Sequence, residues 1–186
     1  MITFRAIEAG DTELIASMHT TSWRTAYRGI LRDEYLDGGI EEERRAEWQR
    51  RFAPLHADAL GFIALLDDQP VGFIFGFQNE HDCWGTLIDN LHVLPGWKGR
   101  GIGRQLMTRF ATELIARGDS AGVFLWVYEK NTAARQFYEI VGGKKTEETD
   151  YPAPGGGEAR IWRMTWSSPR ELIARASKDG AGEEAE

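Results

Sequence analysis

Four glycines fall within eight residues at positions 96, 99, 101 and 103, in the stretch Gly-Trp-Lys-Gly-Arg-Gly-Ile-Gly-Arg-Gln-Leu-Met that spans residues 96–107. Residues 87–93 form an aliphatic and β-branched run with polar interruptions, stopped by Pro95. Behind the glycines, Ile102, Leu106, Phe110 and Leu114 recur every fourth residue, the spacing of one helix face. A strand, a glycine turn and a helix therefore follow one another. Glycines at alternate positions leave the backbone amides uncovered and free to take positive φ. Those amides and the positive end of the helix make a seat for a phosphate group. Lys98, Arg100 and Arg104 add cations to the same few residues, and the stretch reads as an anion-binding loop.

Two familiar phosphate loops do not fit it. A P-loop needs Gly-Lys-Ser/Thr after four intervening residues, which nothing here supplies. The dinucleotide fingerprint would need glycine at 104, where Arg104 stands, and it sits near a first strand.

The rest of the chain supplies a mixed series of elements. Residues 2–7 alternate as a strand, and Asp11 can cap a helix that runs through Leu14, Ile15 and Met18 to about Tyr27. Residues 29–39 read as irregular or short-helical. Residues 41–52 form a charged helix whose Glu/Arg run is a solvated face, with Trp48 and Phe52 one turn apart. Residues 62–66 and 71–77 make a hairpin about Asp67-Asp68-Gln69-Pro70. Residues 87–93 are a central strand, 101–117 the helix after the loop, and 123–128 a buried strand. Asn131 starts a helix through Phe137, Tyr138 and Val141, ended by Gly142-Gly143. Two last strands, 144–150 and 159–166, flank a loop with Pro152, Pro154 and Gly155-Gly156-Gly157. Residues 1–166 are expected to form a single domain. Residues 167–186 form a tail that begins as a short helix and ends, from Gly180, in a disordered stretch without large apolar residues.

Composition narrows the class. A chain of 186 residues, 42% hydrophobic and 27% charged, can build one domain around a real core. No stretch approaches the ~20 apolar residues of a membrane helix, and no basic-then-apolar leader opens the chain. The single cysteine, Cys83, excludes an intramolecular disulfide and reads as a small residue near a strand, so a cytoplasmic location is expected. A net charge of −7 argues against general nucleic-acid binding and suits cationic ligands, although the acidic tail supplies part of it. No membrane partner is expected, and the sequence is compatible with a homodimer without indicating one.

The loop resembles the signature of the GNAT N-acetyltransferase superfamily, Arg/Gln-x-x-Gly-x-Gly/Ala after a central strand. Here it reads Lys98-Gly99-Arg100-Gly101-Ile102-Gly103, with lysine where the family usually carries Arg or Gln. A second match is Asn131-Thr-Ala-Ala-Arg-Gln-Phe-Tyr-Glu-Ile-Val-Gly-Gly143, similar to the family's Asn-x-x-Ala-x-x-Phe-Tyr-x-x-x-Gly-Phe, with Gly143 where Phe is common. The run from Ser22 to Gly29 also looks like bacterial members that acetylate small amines or amino acids. The resemblance covers about residues 2–166. It implies an α/β fold, a mixed sheet of six to seven strands with about four helices and splayed central strands. It implies acetyl transfer from acetyl-CoA to an amine in a ternary complex, without an acyl-enzyme and without a metal.

That chemistry sets requirements. An alkyl ammonium of pKa ~10.4 must lose its proton before it can attack, which costs roughly 4 to 5 kcal/mol at pH 7. The departing thiolate needs a donor, and the acyl oxygen a backbone N–H. Tyr138 matches the family's general-acid tyrosine; the other reading is an aromatic packed beside Phe137. For the base the candidates are Asp89, acting through water, then His92, whose ordinary pKa is near 6.5, then Glu129. In a regular strand Asp89, Leu91 and Val93 would share one face and Asn90 and His92 the other, and a bulge would scramble that parity. The resemblance implies main-chain contacts to the pantetheine from Leu91, His92 and Val93. It implies pyrophosphate contacts from Lys98, Gly99, Arg100, Gly101, Ile102, Gly103 and Arg104. Asn131 either touches the CoA arm or only caps its helix. Trp23, Tyr27 and Tyr151 are candidates to line the acceptor pocket, where a cationic amine could lie over their rings; each could equally close the core. Polyamine, amino acid, antibiotic and peptide N-terminus all stay open as acceptors.

Overall fold

The computed structural model describes residues 1–53 and 57–177 of the chain. Its sheet comprises β1 (Ile2–Ala6), β2 (Ala59–Leu66), β3 (Gln69–His81), β4 (Gly85–Val93), β5 (Val123–Tyr128), β6 (Lys144–Pro152) and β7 (Glu158–Trp166), in the order β1-β2-β3-β4-β5-β7-β6. Only β4 and β5 run parallel; the other neighbours are antiparallel. Four longer helices, α1 (Thr12–Ala26), α3 (Ile40–Phe52), α4 (Ile102–Ala116) and α5 (Thr132–Ile140), are joined by two short ones, α2 (Asp33–Asp37) and α6 (Pro169–Ala176). The mixed sheet and helix order agree with the fold expected from the sequence. The reading of residues 180–186 as disordered lies outside the described residues.

Two apolar layers sandwich the sheet. On one face Ile15, Met18, Trp48 and Phe52 of α1 and α3 pack on Ile63, Phe73 and Phe75. On the other, Leu106, Met107, Phe110 and Leu114 of α4 pack with Ile88, Leu125, Tyr138, Met164, Trp166 and Leu172. The hairpin between β2 and β3 turns on Asp67 and Asp68, both at positive φ, a two-residue geometry that matches the strand twist. Asp11 stands at the N-cap of α1 but does not cap it with its side chain. Its carboxylate instead takes both guanidinium nitrogens of Arg5 at 2.7 Å and the Glu8 amide at 2.9 Å. A charged, bidentate partner outcompetes the helix amides.

The ladder between β3 and β4 slips between Phe75 and Gly76, whose partners are Asn90 and Ile88. Asp89 is the extra residue of this bulge. Gly76 makes the slip possible, since a Cβ there would lie 2.1 Å from the Leu87 carbonyl oxygen. The regular-strand parity therefore fails. Leu91 and Val93 keep the α4 face, while Asp89, Asn90 and His92 all turn toward α1 and α3.

Candidate active site

Pairing between β4 and β5 ends almost where it begins, with Thr86 opposite Val123 and Leu87 opposite Phe124. From there the two strands part, and among the described residues the remainder of β4 pairs with β3 alone. The Leu94 amide donates to Val71 at 2.9 Å. Strand alternation then turns the backbone groups of Leu91 and Val93 away from β3 and into the opening. These are main-chain groups with no partner on the sheet, as a bound pantetheine amide would require.

At the end of β4 the glycine loop leads into α4. Gly96, Gly99 and Gly101 have φ of 84°, 77° and 72°, and Gly101 is the N-cap of α4 with no side-chain cap bond. None of the amides from Gly99 to Gly103 meets an acceptor among the described residues. Gly103 serves packing: a Cβ there would stand 3.3 Å from Phe137 of α5. Arg100 lies over the Trp97 ring at 4.7 Å, and Lys98 is exposed yet close enough to His92 to help lower its pKa. The loop is a set of unpaired N–H groups at a helix N-terminus, ringed by cations.

Across the opening, α5 fixes Tyr138 from both ends. Asn131 caps the helix by accepting the Ala134 amide at 3.2 Å. At the far end Gly142 takes a φ of 83°, the Gly143 amide donates to the Tyr138 carbonyl at 2.8 Å, and Trp166 Nε1 donates to the Val141 carbonyl at 2.8 Å. The Tyr138 ring is buried against Trp166 and Phe137. Its hydroxyl makes no hydrogen bond among the described residues, and burial raises its pKa above the ordinary value of 10.0. The phenol is thus a proton donor held without a partner. Phe137, the neighbouring aromatic, faces Gly103 instead.

The α1 and α3 face of β4 holds the other sequence candidates. His92 is buried, with Nδ1 2.9 Å from Ser22 Oγ of α1. Burial first, then Lys98 and Arg44, lower its pKa to about 3, so it is neutral at pH 7. Asp89 is ion-paired with Arg51 of α3 and also accepts from Asn90. Tyr27 meets Tyr128 edge-on at 5.1 Å and Trp23 at 5.0 Å, and burial raises its pKa. Trp23 is not open to an ammonium ligand on the face that Arg44 covers, with Cζ 4.5 Å from the ring centroid. Tyr151 lies on β6, 48% exposed, and stands near Tyr128, whose pKa is pushed up to about 12 first by burial and then by Tyr151. Glu129 follows β5 and makes no ion pair among the described residues.

Arg44, Arg51, Ser22 and Tyr128 are the members of this group that the sequence did not single out. Reading the Glu/Arg run of α3 as wholly solvated fails at two positions, since the side chains of Arg44 and Arg51 are only 11% and 21% exposed. A signal was present: Ile40, Arg44, Trp48 and Phe52 are spaced by four, so Arg44 stands in the apolar stripe. Of two surface grooves, one lined by Ile115, Gly118, Asp119 and Pro169 lies apart from the opening, and the other, lined by Phe4, Arg104, Gln105, Thr108 and Thr112, meets the glycine loop at Arg104. Among the described residues, no cluster of His, Cys, Asp and Glu could hold a metal, and no helix is long and apolar enough to cross a membrane.

The model of the acetyltransferase (GNAT) family matches residues 21–142. A probable N-acetyltransferase of Mycobacterium tuberculosis is 34% identical over 142 residues, covering 74% of this chain and 77% of that protein. A spermidine N(1)-acetyltransferase of Thermoplasma acidophilum is 24% identical over 152 residues, 80% of this chain and 91% of its own. The crystal structure of the PaiA N-acetyltransferase of Thermoplasma acidophilum in complex with coenzyme A has a TM-score of 0.69 at 24% identity, covering 89% of this chain and 99% of that one.

Proposed function

Since the chain belongs to the GNAT acetyltransferase family and is an acetyl-CoA-dependent N-acetyltransferase, we propose that it acetylates the primary amine of a small molecule, a polyamine, an amino acid or a similar compound. The observation that carries this reading is the parting of β4 and β5, with unpaired loop amides at one end and an unpartnered Tyr138 hydroxyl on α5, the helix that packs on the loop through Phe137. The similarity to a spermidine acetyltransferase supports a small amine as acceptor. The lone, exposed Cys83 fits a reducing compartment, and we place the enzyme in the cytoplasm.

In this reading the amides from Gly99 to Gly103 hold the pyrophosphate, with Lys98, Arg100 and Arg104 around it, and Leu91 and Val93 align the pantetheine. Main-chain N–H groups of β4 polarise the thioester carbonyl. The amine nitrogen attacks the carbonyl carbon from the α1 side, the C–S bond breaks, and the departing sulfur accepts a hydrogen bond from Tyr138 Oη. An unperturbed phenol of pKa ~10 and a thiol of ~8.5 leave full proton transfer uphill by about 2 kcal/mol, so a strengthening hydrogen bond suffices. The thiolate then takes its proton from solvent, and the nitrogen of the tetrahedral adduct gives up its second proton to water as the amide forms. The ammonium proton leaves through water past Asp89, whose ion pair with Arg51 fixes it in place. His92, neutral, orients the amine by hydrogen bonding instead of storing its proton.

A turnover screen with acetyl-CoA over polyamines, free amino acids, aminoglycoside-type amines and short peptides tests the reading. CoA release that depends on a small amine is the expected result. Release only with peptides moves the acceptor to protein amines, and tight acetyl-CoA binding without any release makes the chain an acyl-CoA-binding module.

A further inference from the structure

Arg44 is the residue of the acceptor side that the transfer chemistry leaves without a task. It lies on α3 with its guanidinium over Trp23, its side chain 11% exposed, and its Nε buried without an acceptor. One terminal nitrogen, Nη2, is taken by Glu43 Oε1 at 2.8 Å, a neighbour in sequence whose own side chain is 43% exposed. Two further buried donors adjoin it. Trp23 Nε1 has no partner among the described residues. His19 meets the Trp23 ring at 4.8 Å and its Nδ1 accepts from Trp48 Nε1 at 3.0 Å. An accepting Nδ1 puts the proton of neutral His19 on Nε2, which is also buried without a partner.

Three contiguous side chains thus present N–H groups that meet no acceptor among the described residues. Each such buried donor carries a penalty unless a ligand satisfies it. The carboxylates of the neighbourhood are committed, Asp89 to Arg51 and Asn90 and Glu43 to Arg44. The field of Arg44 reaches across the whole group: it lowers His19 and His92 and opposes the upward shifts of Tyr27, Tyr35 and Tyr128. Donor-rich, cationic and walled by Tyr27 and Tyr128, such a site is matched by an acceptor-rich anion.

We propose that Arg44 is a specificity-determining residue that binds a carboxylate of the acceptor, so that the preferred substrate is an amino-acid-like amine and not a polyamine. The proposal rests on the small-amine reading above and narrows it. Guanidinium and carboxylate pair with fixed geometry, and the bond to Glu43 leaves Nε and Nη1 of Arg44 without an acceptor among the described residues. A polyamine would meet Arg44 as a like charge.

The test uses matched pairs, each an amino acid and the amine left when its carboxylate is removed, for example lysine with cadaverine and phenylalanine with phenethylamine. Wild type is expected to favour the amino acid by about 10- to 100-fold in kcat/KM, the range of one charge-assisted pair. Arg44→Gln is expected to bring that ratio to about one, and Arg44→Lys to restore part of it. A ratio within one enzyme does not depend on how much of a variant is folded. Preference for the carboxylate-free amine in wild type overturns the proposal, as does a ratio that Arg44→Gln leaves unchanged. If no amine is acetylated while acetyl-CoA still binds, the small-amine reading has failed by itself. Calorimetry with the N-acetyl amino acids in the presence of CoA then decides the role of Arg44: binding by wild type that Arg44→Gln abolishes supports it, and no binding, or equal binding, overturns it.

Discussion

On the α4 face of the sheet, the loop of residues 96–104 offers backbone N–H groups, and glycine is needed there for what it lacks. On the α1 and α3 face, Trp23, Arg44, Asp89, His92 and Tyr128 come from α1, α3, β4 and β5, and each offers its side chain. The contrast teaches how the two substrates are told apart. A CoA pyrophosphate is an invariant ligand that a main-chain cradle suits, whereas an acceptor is selected by side chains that can change one at a time. Substitutions should therefore separate cleanly. Changes at the loop should alter the KM for acetyl-CoA, and changes in the pocket should alter the choice of amine.

The largest expected effect comes from the phenol proposed to donate to the departing sulfur. Tyr138→Phe keeps the ring against Trp166 and removes only the donor, so kcat should fall about 100-fold, in the range for general acid catalysis. The KM for acetyl-CoA should stay within about twofold, since the loop is untouched. Because burial raises the phenol above its ordinary 10.0, wild-type kcat should show no descending limb from pH ~8 to ~10. A kcat within a few-fold of wild type would leave Tyr138 as packing alone.

Next in size is Gly101→Val. A φ of 72° is a conformation that β-branched residues rarely adopt, and the new side chain would stand beside the first amides of α4. The KM for acetyl-CoA should rise about 30-fold, roughly 2 kcal/mol of lost binding, with the relative preference among amines unchanged. Steady-state kinetics and calorimetry with CoA would check both halves, and a changed amine preference would break the division of labour.

The two faces were also unequally legible in the sequence. Gly99, Gly101 and Gly103 could be read because a backbone requirement leaves its mark at fixed spacing in one short stretch, and Asn131 and Gly142 marked the ends of α5 in the same local way. The strand and helix order followed from periodicity. Asp89 and His92 were found as residue types but not as partners: the bulge opposite Gly76 changes which way Asp89 points, and Arg51, its counter-ion, lies 38 positions away in a run that looked solvated. Arg44 was hidden for the same reason. A cation inside an apolar stripe is visible only when helix phase is applied to polar residues as strictly as to apolar ones.

Acid stability probes the pocket face by itself. The folded pKa of His92, about 3, lies below the unfolded value of ~6.5, and His19 is lowered well below it too, largely by burial. Between those values the unfolded chain binds protons that the folded chain does not, so stability should be complete above about pH 6.5 and fall as pH drops toward 3. Each histidine contributes a slope of about 1.4 kcal/mol per pH unit. Urea unfolding between pH ~7 and ~4.5, above most carboxylate titration, should show this, and His92→Gln should remove about half of it. The same neutrality bears on the chemistry: kcat/KM should show no acid limb near pH ~6.5 in wild type. An acid limb there that His92→Gln abolishes would return the role of base to His92.

The smallest expected effect is the one that tests the comparison most directly. Lys98 begins the anion loop, carries the charge a phosphate would seek, and is exposed. If main-chain amides do the holding, Lys98→Gln should raise the KM for acetyl-CoA only about threefold, and the difference should shrink further as salt screens an exposed charge. Gly101→Val adds no charge and removes none, yet should have about ten times the effect, because it changes the shape and exposure of the N–H groups themselves. Measuring the two variants side by side at low and high ionic strength separates the mechanisms. A Lys98→Gln effect as large as that of Gly101→Val, and abolished by salt, would mean that the cofactor half also works through its side chains, and the contrast between the two faces of β4 would no longer hold.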